Sequence, residues 1–120
     1  MDVLLVNPNT MKPPVAPIAL DYLGSSLADA GCAVEVLDLC FCDDPIDAVR
    51  RRLASRSFSA VAVTLRNTDD TSFATREFLL PWLRRVTDCV RGNTDAPLII
   101  GGSGYSVAPE AVLDFCGLDI

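Results

Sequence analysis

The sequence contains four short, continuous apolar runs, and a stretch with helical signals follows each of them. The runs cover residues 2–6, 33–39, 59–65 and 97–100. Strands that read as continuous apolar runs are typical of parallel sheets buried on both faces. The expected fold class is therefore α/β: a doubly wound parallel sheet, Rossmann-like or flavodoxin-like, of four to five strands with helices on both faces.

Two helices are predicted in the first half of the chain. The spacing of apolar residues predicts a helix over 18–30, with Gly31 as its C-cap. Asp44 and Pro45 predict the start of a second helix, because Asp is a favoured N-cap and Pro a favoured first residue.

The second half carries two further helix signals. A helix is predicted over 72–90, with Asp69, Asp70 and Thr71 as candidate capping residues and with Pro81 kinking or dividing it. Pro109 predicts the start of a helix that runs to residue 115, and residues 117–120 read as the opening of a fifth strand.

Composition narrows the function classes. The chain has 120 residues, enough for one domain, and its net charge of -6 argues against nucleic acid as a partner. The basic run Arg50-Arg51-Arg52 reads as the solvated face of a helix. No apolar run approaches the roughly 20 residues that cross a membrane, and no basic segment precedes the first one. We expect a soluble, cytoplasmic protein with no membrane partner.

Five cysteines in irregular spacing and the absence of histidine restrict the chemistry further. An odd number of cysteines without repeated C-x-x-C spacing disfavours a disulfide framework and a zinc site. Cys40 and Cys42 alternate as strand residues do, which leaves open a shared metal or redox role or two small buried side chains. Without histidine, the chain lacks the commonest general base and metal ligand.

Polar residues follow three of the apolar runs, at the point where each run ends. Asn7 and Asn9 follow the first, Arg66 to Asp70 the third, and Gly101 to Ser106 the fourth. Because ligands of doubly wound sheets bind outside the carboxyl ends of the strands, these residues predict a ligand-binding rim. A dinucleotide is disfavoured, since "NPNTMKPP" after the first strand has no glycine and no phosphate-binding loop occurs elsewhere.

Several motifs in this order resemble the N-terminal cobalamin-binding domain of cobalamin-dependent radical S-adenosylmethionine enzymes of the class B methyltransferase type. They are the Asn-Pro of "LLVNPNT", a helix ending in "LADAG", "RNTDD" after the third strand, and "GGSGYSVAPE" after the fourth. The resemblance covers essentially all of residues 1–120. It implies that this chain is the cobalamin-binding module and the N-terminal part of a longer enzyme.

The resemblance also implies the chemistry. Such enzymes use cobalamin as a methyl relay between S-adenosylmethionine and a small-molecule or peptide substrate. The chain has no D-x-H-x-x-G motif, so cobalamin is expected with its benzimidazole off cobalt and no histidine in its place. It also lacks C-x-x-x-C-x-x-C, so the [4Fe-4S] cluster, S-adenosylmethionine and a radical barrel domain in cis are expected in the remainder of the enzyme, and this chain alone is expected to be inactive.

Site residues follow from matching these motifs. Arg66 is expected at the lower face of the cofactor, because its guanidinium can pack or hydrogen-bond there without ligating cobalt. The resemblance implies that Thr64 hydrogen-bonds the displaced tail and that Gly101 and Gly102 let the tail pass. Amide and hydroxyl groups suited to the propionamide side chains come from Asn7, Asn9, Thr10, Asn67 and Ser103. Pro8, Leu65, Gly104 and Tyr105 lie in or next to these motifs and are also expected at the cofactor, and Asp38, at the end of the second strand, is expected to hydrogen-bond a ribose or a corrin amide.

Alternatives remain open at several of these positions. Arg66 can instead form an ion pair with Asp69 or Asp70, Asp38 can cap a loop, and Tyr105 can pack under the tail or against the barrel. Trp82 reads as a core residue, since large aromatic side chains at helical spacing usually pack. A domain that keeps the fold for docking or structure, without cobalamin, is the alternative function, and a standalone nucleotide-binding enzyme is disfavoured.

Overall fold

Four parallel strands form one sheet in the computed structural model, which describes residues 1–69 and 77–119. They are β1 (Asp2–Asn7), β2 (Ala33–Asp38), β3 (Ala60–Thr64) and β4 (Leu98–Gly101), in the spatial order β2-β1-β3-β4. The predicted α/β class and parallel sheet are confirmed. Each strand boundary lies within one residue of its prediction, because the apolar runs are the buried parts of the strands.

Five helices connect or follow these strands in the described part of the chain: α1 (Ile18–Asp29), α2 (Pro45–Ser55), α3 (Leu80–Asn93), α4 (Ser103–Val107) and α5 (Pro109–Cys116). A 3₁₀ turn (Leu39–Phe41) follows β2. The predicted N-cap of α2 is confirmed: Asp44 accepts a hydrogen bond from the Asp47 amide over 3.1 Å. The C-cap of α1 is Ala30 rather than the predicted Gly31, which follows it with φ of +89°. Among the described helices, none is long and apolar enough to cross a membrane.

Three predictions in the second half are wrong. Helix α3 begins at Leu80, so Pro81 lies in its first turn and neither kinks nor divides it; a proline is tolerated there because its missing N–H would have no intrahelical partner. Residues 77–79 are not helical, and Phe78 forms an isolated antiparallel bridge with Asp69, which therefore does not cap α3. Asp70, Thr71 and the predicted start of this helix lie outside the described residues.

The third wrong prediction concerns the end of the chain. Residues 117–119 form no strand; Gly117 adopts a left-handed conformation with φ of +67° that ends α5, and Leu118 packs against the main core. Helix α4 was not predicted, because its five residues, "SGYSV", carry no cap or apolar spacing that distinguishes them from a loop.

The two faces of the sheet are covered unequally. The main core, which includes Leu4, Val6, Val61 and Val63, lies between the sheet and the side chains of α2, α3 and α5. The opposite face carries a smaller cluster of Val3, Leu5 and Leu20, the last from α1. At β4 the contrast is sharp: Ile100 is 8% exposed, whereas its neighbour Ile99, which points to the α1 face, is 54% exposed.

This asymmetry predicts different costs for one substitution at two adjacent positions. Ile100→Ala should lower the free energy of unfolding by about 2–4 kcal/mol, because it leaves a cavity in a packed layer. Ile99→Ala is the matched control and should lower it by less than about 1 kcal/mol. Urea unfolding followed by far-ultraviolet circular dichroism measures both. Equal losses would show that the α1 face at β4 is also covered.

Candidate functional site

The candidate site lies where the strand order reverses. From β1 the chain moves to β2 on one side and then to β3 on the other side, so the carboxyl ends of β1 and β3 border the crevice in which such folds bind ligands. Two cavities open there, with volumes of about 200 and 280 Å³. Both are lined by Asn7, Asn9, Thr64 and Arg66.

The two cavities differ in their remaining walls. The first cavity extends toward α3 and is also lined by Pro8, Thr10, Met11, Leu65, Asn67, Glu77, Leu79, Trp82 and Leu83. The second cavity extends toward the start of α1 and is also lined by residues 15–20, Gly102 and Ser103. Most of the predicted site residues are therefore brought together at this crevice.

Four of the predicted site residues line neither of these cavities: Asp38, Gly101, Gly104 and Tyr105. Gly104 lines a third, shallower cavity beside Arg66 and Asn67. Tyr105 lies in α4, half-buried, and packs against the main core.

Asn7 lines both cavities of the crevice, and Asp38, behind it, holds its side chain. Asn7 is only 4% exposed, and its amide donates to an Asp38 carboxylate oxygen over 3.0 Å. The same Asp38 oxygen accepts from the Cys40 amide over 3.0 Å, which caps the 3₁₀ turn. The carbonyl oxygen of the Asn7 side chain accepts from the Asn9 amide over 3.3 Å. Asp38 thus has the loop-capping role that the sequence left open.

The segment after β3 is held by the glycine-rich segment after β4. The Gly104 amide donates to the Leu65 carbonyl oxygen over 2.9 Å, and the Ser103 hydroxyl donates to the Arg66 carbonyl oxygen over 2.7 Å. The Leu65 side chain is buried in the main core, whereas the Arg66 side chain is exposed and borders all three cavities. These contacts fix the backbone from which the exposed Arg66 side chain extends.

The two glycines predicted to let the tail pass, Gly101 and Gly102, have different surroundings. A Cβ on Gly102 would lie 2.5 Å from the Leu65 carbonyl oxygen and 2.8 Å from the Thr64 hydroxyl, and Gly102 has φ of +106°. Gly102 is therefore needed for packing between the two segments. A Cβ on Gly101 would meet nothing within 4 Å, so open space borders that position.

Trp82 is the main site residue that sequence reasoning missed. It is half-buried, packs against the main core and also lines the first cavity, and its indole N–H donates to the Pro8 carbonyl oxygen over 2.6 Å. The signal that could have found it is Pro81: a proline marks the first turn of a helix, and the first turn of α3 lies at the carboxyl edge of the sheet.

The cysteines show no metal-binding cluster. Within residues 1–69 and 77–119, no group of three or more histidine, cysteine, aspartate or glutamate side chains is arranged to hold a metal ion. All five cysteines are free, and burial raises the pKa of the Cys89 and Cys116 thiols. Cys40 is buried in the 3₁₀ turn and Cys42 is half-buried beyond it.

Comparison with known proteins identifies relatives of this chain. The chain matches none of the protein-family profiles. It is 38% identical to a tryptophan 2-C-methyltransferase of Streptomyces laurentii over 98% of its own length and 20% of that enzyme. It superposes with a TM-score of 0.91 and 42% identity on the radical S-adenosylmethionine methyltransferase TsrM of Kitasatospora setae, whose structure contains cobalamin and a [4Fe-4S] cluster.

The chain is homologous to the N-terminal part of TsrM, a cobalamin-dependent radical S-adenosylmethionine methyltransferase. The predicted resemblance is confirmed. A second TsrM structure, with tryptophan substrate and a S-adenosylmethionine analogue bound, gives the same TM-score of 0.91 over 98% of the chain. The chain spans about a fifth of the length of these relatives.

The two glycines give a matched test of the wall of the crevice. Gly102→Ala should lower the free energy of unfolding by about 2–4 kcal/mol, because its methyl group would overlap the Leu65 carbonyl and its backbone is strained. Gly101→Ala should change it by less than about 0.5 kcal/mol, because the added methyl group has space. Chemical denaturation measures both, and a tolerated Gly102→Ala would contradict the packing role.

Proposed function

We propose that this chain is the cobalamin-binding module of a TsrM-like radical S-adenosylmethionine methyltransferase, and that it binds cobalamin with the benzimidazole off cobalt and without a histidine ligand. The observation that carries the proposal is the pair of cavities at the carboxyl ends of β1 and β3, joined by Asn7, Asn9, Thr64 and Arg66. They occur in a chain that shares 42% identity over nearly its whole length with a cobalamin-containing enzyme.

The chemistry of the crevice suits cobalamin. Each cavity, at about 200 and 280 Å³, is smaller than the roughly 300–1,000 Å³ that encloses a drug-sized ligand. A corrin ring would therefore be held against the rim, where Asn9, Thr10 and Asn67 supply amide and hydroxyl groups for its amide side chains. Thr64 and the open space at Gly101 would accept the displaced nucleotide tail.

Arg66 is the residue of this chain best placed to occupy the lower face of the cofactor. It is exposed, borders both cavities, and leaves a backbone held by Ser103 and Gly104. A guanidinium keeps its proton, so it donates hydrogen bonds but does not ligate a metal. No histidine occurs in the sequence, so no imidazole of this chain replaces the benzimidazole.

Bound cobalamin supplies a cobalt centre that accepts and passes on a methyl group, and this chain binds and orients it. The proposal assigns S-adenosylmethionine, the [4Fe-4S] cluster and the substrate to a radical barrel domain of the longer enzyme. The relatives carry tryptophan in their name or in their structure, so we infer a small-molecule acceptor of that type.

Electron paramagnetic resonance of bound cob(II)alamin tests the binding mode. The longest soluble polypeptide that contains this chain should retain one cob(II)alamin, and its spectrum should lack nitrogen superhyperfine splitting. Splitting would mean that the benzimidazole stays on cobalt, and the binding mode would be wrong. Loss of cobalt from that polypeptide would favour a docking domain that keeps only the fold.

Arg66→Ala should change the cob(II)alamin spectrum or the reduction potential of bound cobalamin while the free energy of unfolding changes by less than about 1 kcal/mol, because the side chain is exposed. Arg91→Ala is the matched control: it also removes one exposed guanidinium, but at the end of α3 that lies at the opposite edge of the sheet. If the cofactor spectra of Arg66→Ala and Arg91→Ala both matched the spectrum of the parent, Arg66 would not be part of the site.

Gly101→Val tests the path of the tail. The added side chain would enter the open space beside β4 without meeting protein atoms at its Cβ, so the fold should persist. Cobalamin affinity should fall by at least about tenfold, which corresponds to about 1.4 kcal/mol of lost contact with the tail. Cobinamide should bind the variant and the parent equally, because it has no nucleotide tail. An equal loss of affinity for cobalamin and cobinamide would mean that the valine obstructs the corrin ring and not the tail.

A further inference from the structure

Lys12, the single lysine of the sequence, lies against the turn that follows β2. Its ammonium group donates to the Cys40 carbonyl oxygen over 2.8 Å and lies 3.5 Å from the Cys40 sulfur. It also lies 5.1 Å from the centre of the Phe41 ring. Three different groups of one turn thus contact one cation, which is more than a solvated surface lysine makes.

The loop and the turn each donate a hydrogen bond to the other. The Cys40 thiol donates to the Met11 carbonyl oxygen over 3.6 Å, so the residue before Lys12 is also joined to the turn. Cys40 is 8% exposed, and its own amide is held by Asp38. We call this pair of contacts, Lys12 to the Cys40 carbonyl and the Cys40 thiol to Met11, the Lys12–Cys40 clasp.

The loop that the clasp holds has few backbone N–H groups to donate; the Asn9 amide donates to the Asn7 side chain and the Met11 amide donates to the Asn9 side chain. Residues 8–17 connect β1 to α1, and four of the ten are proline, at 8, 13, 14 and 17. Proline has no N–H, so these positions cannot donate backbone hydrogen bonds to a neighbouring segment. The loop is joined to α3 at Pro8, through Trp82, and to the turn after β2 through the clasp.

The same loop forms walls of both cavities. Asn9, Thr10 and Met11 line the first cavity, and residues 15–17 line the second. Lys12 and Cys40 line neither, so they do not contact a ligand there and act through the loop. A loop that moves away from the turn would withdraw polar groups from one cavity and apolar groups from the other.

We propose that Lys12 and Cys40 are positioning residues that hold the loop of residues 8–17 in its ligand-binding arrangement. The proposal rests on the proposed function for the identity of the ligand, cobalamin, but not for the existence of the clasp. The affinity for the ligand then depends on how often the loop of the free protein adopts this arrangement. If only a fraction of the molecules is in the binding-competent state, the apparent affinity falls by that fraction.

The clasp itself is tested without cofactor, by alkylation of the five cysteines with iodoacetamide followed by peptide mass spectrometry. At alkaline pH, where opened thiols react as thiolates with or without a neighbouring cation, Lys12→Met should raise the alkylation rate of Cys40 by about tenfold, the ratio expected when local opening loses a charge-assisted hydrogen bond. Cys116, buried in the main core, should keep its rate and so reports an intact fold. An unchanged Cys40 rate in a folded Lys12→Met variant would overturn the clasp.

The consequence for binding is tested in the longest soluble polypeptide that contains the chain. Lys12→Met should weaken cob(II)alamin binding by about 5- to 20-fold, as expected for one lost charged hydrogen bond. The spectrum of the cofactor that does bind should match the parent, because Lys12 does not reach the site. Lys12→Arg, which keeps a cationic donor, should restore most of the affinity, and Arg91→Ala should leave it unchanged.

The outcomes separate the two proposals. A parent that binds no cobalamin contradicts the proposed function, and the Cys40 alkylation rates still decide the clasp. A parent that binds cobalamin with the same affinity as Lys12→Met contradicts the positioning role while the proposed function stands. An altered cobalt spectrum in Lys12→Met would also contradict it, because that result would place Lys12 in contact with the cofactor.

Discussion

The close approach of two backbone segments beyond the ends of β3 and β4 determines the shape of the crevice. The Leu65 amide donates to the Gly101 carbonyl over 2.7 Å, and the Leu65 carbonyl accepts from Gly104 over 2.9 Å, so the two segments remain joined past the last paired residues of the sheet. At 102 only a residue without a Cβ allows this approach, and at 104 a Cβ would be in tight contact with the Leu65 carbonyl oxygen, at 3.0 Å. The position of Arg66 depends on it, because its own carbonyl is held by Ser103.

The opposite wall of the crevice is built in a different way. There the chain after β1 is rich in proline and is held by side chains of other elements, Trp82 from α3 and Cys40 from the turn after β2. The first wall is therefore held mostly by backbone hydrogen bonds, together with the Ser103 hydroxyl, and the second is held by side-chain contacts. A wall of the second kind responds to single substitutions at a distance from the ligand, which is why Lys12 matters to a site that it does not line.

The absence of histidine gives the crevice its chemical character. Amide, hydroxyl and guanidinium groups dominate the residues shared by the two cavities, and these groups recognise amide side chains without competing for a metal. The chain matches TsrM over 98% of its length, and the TsrM structure contains cobalamin. The chain spans about a fifth of the length of these relatives.

The sequence by itself determined the strands, because continuous apolar runs have few alternatives to a sheet buried on both faces, and it determined the rim, because polar residues end those runs. It also carried the motifs that indicate the family. Only the tertiary structure decided which rim residues are available to a ligand: Asn7 and Asp38 satisfy each other, Gly102 serves packing, and Trp82 reaches the cavity from the first turn of α3. Those outcomes depend on contacts between residues such as 7 and 38 or 8 and 82, and the spacing of residues along one chain does not specify such contacts before the elements pack.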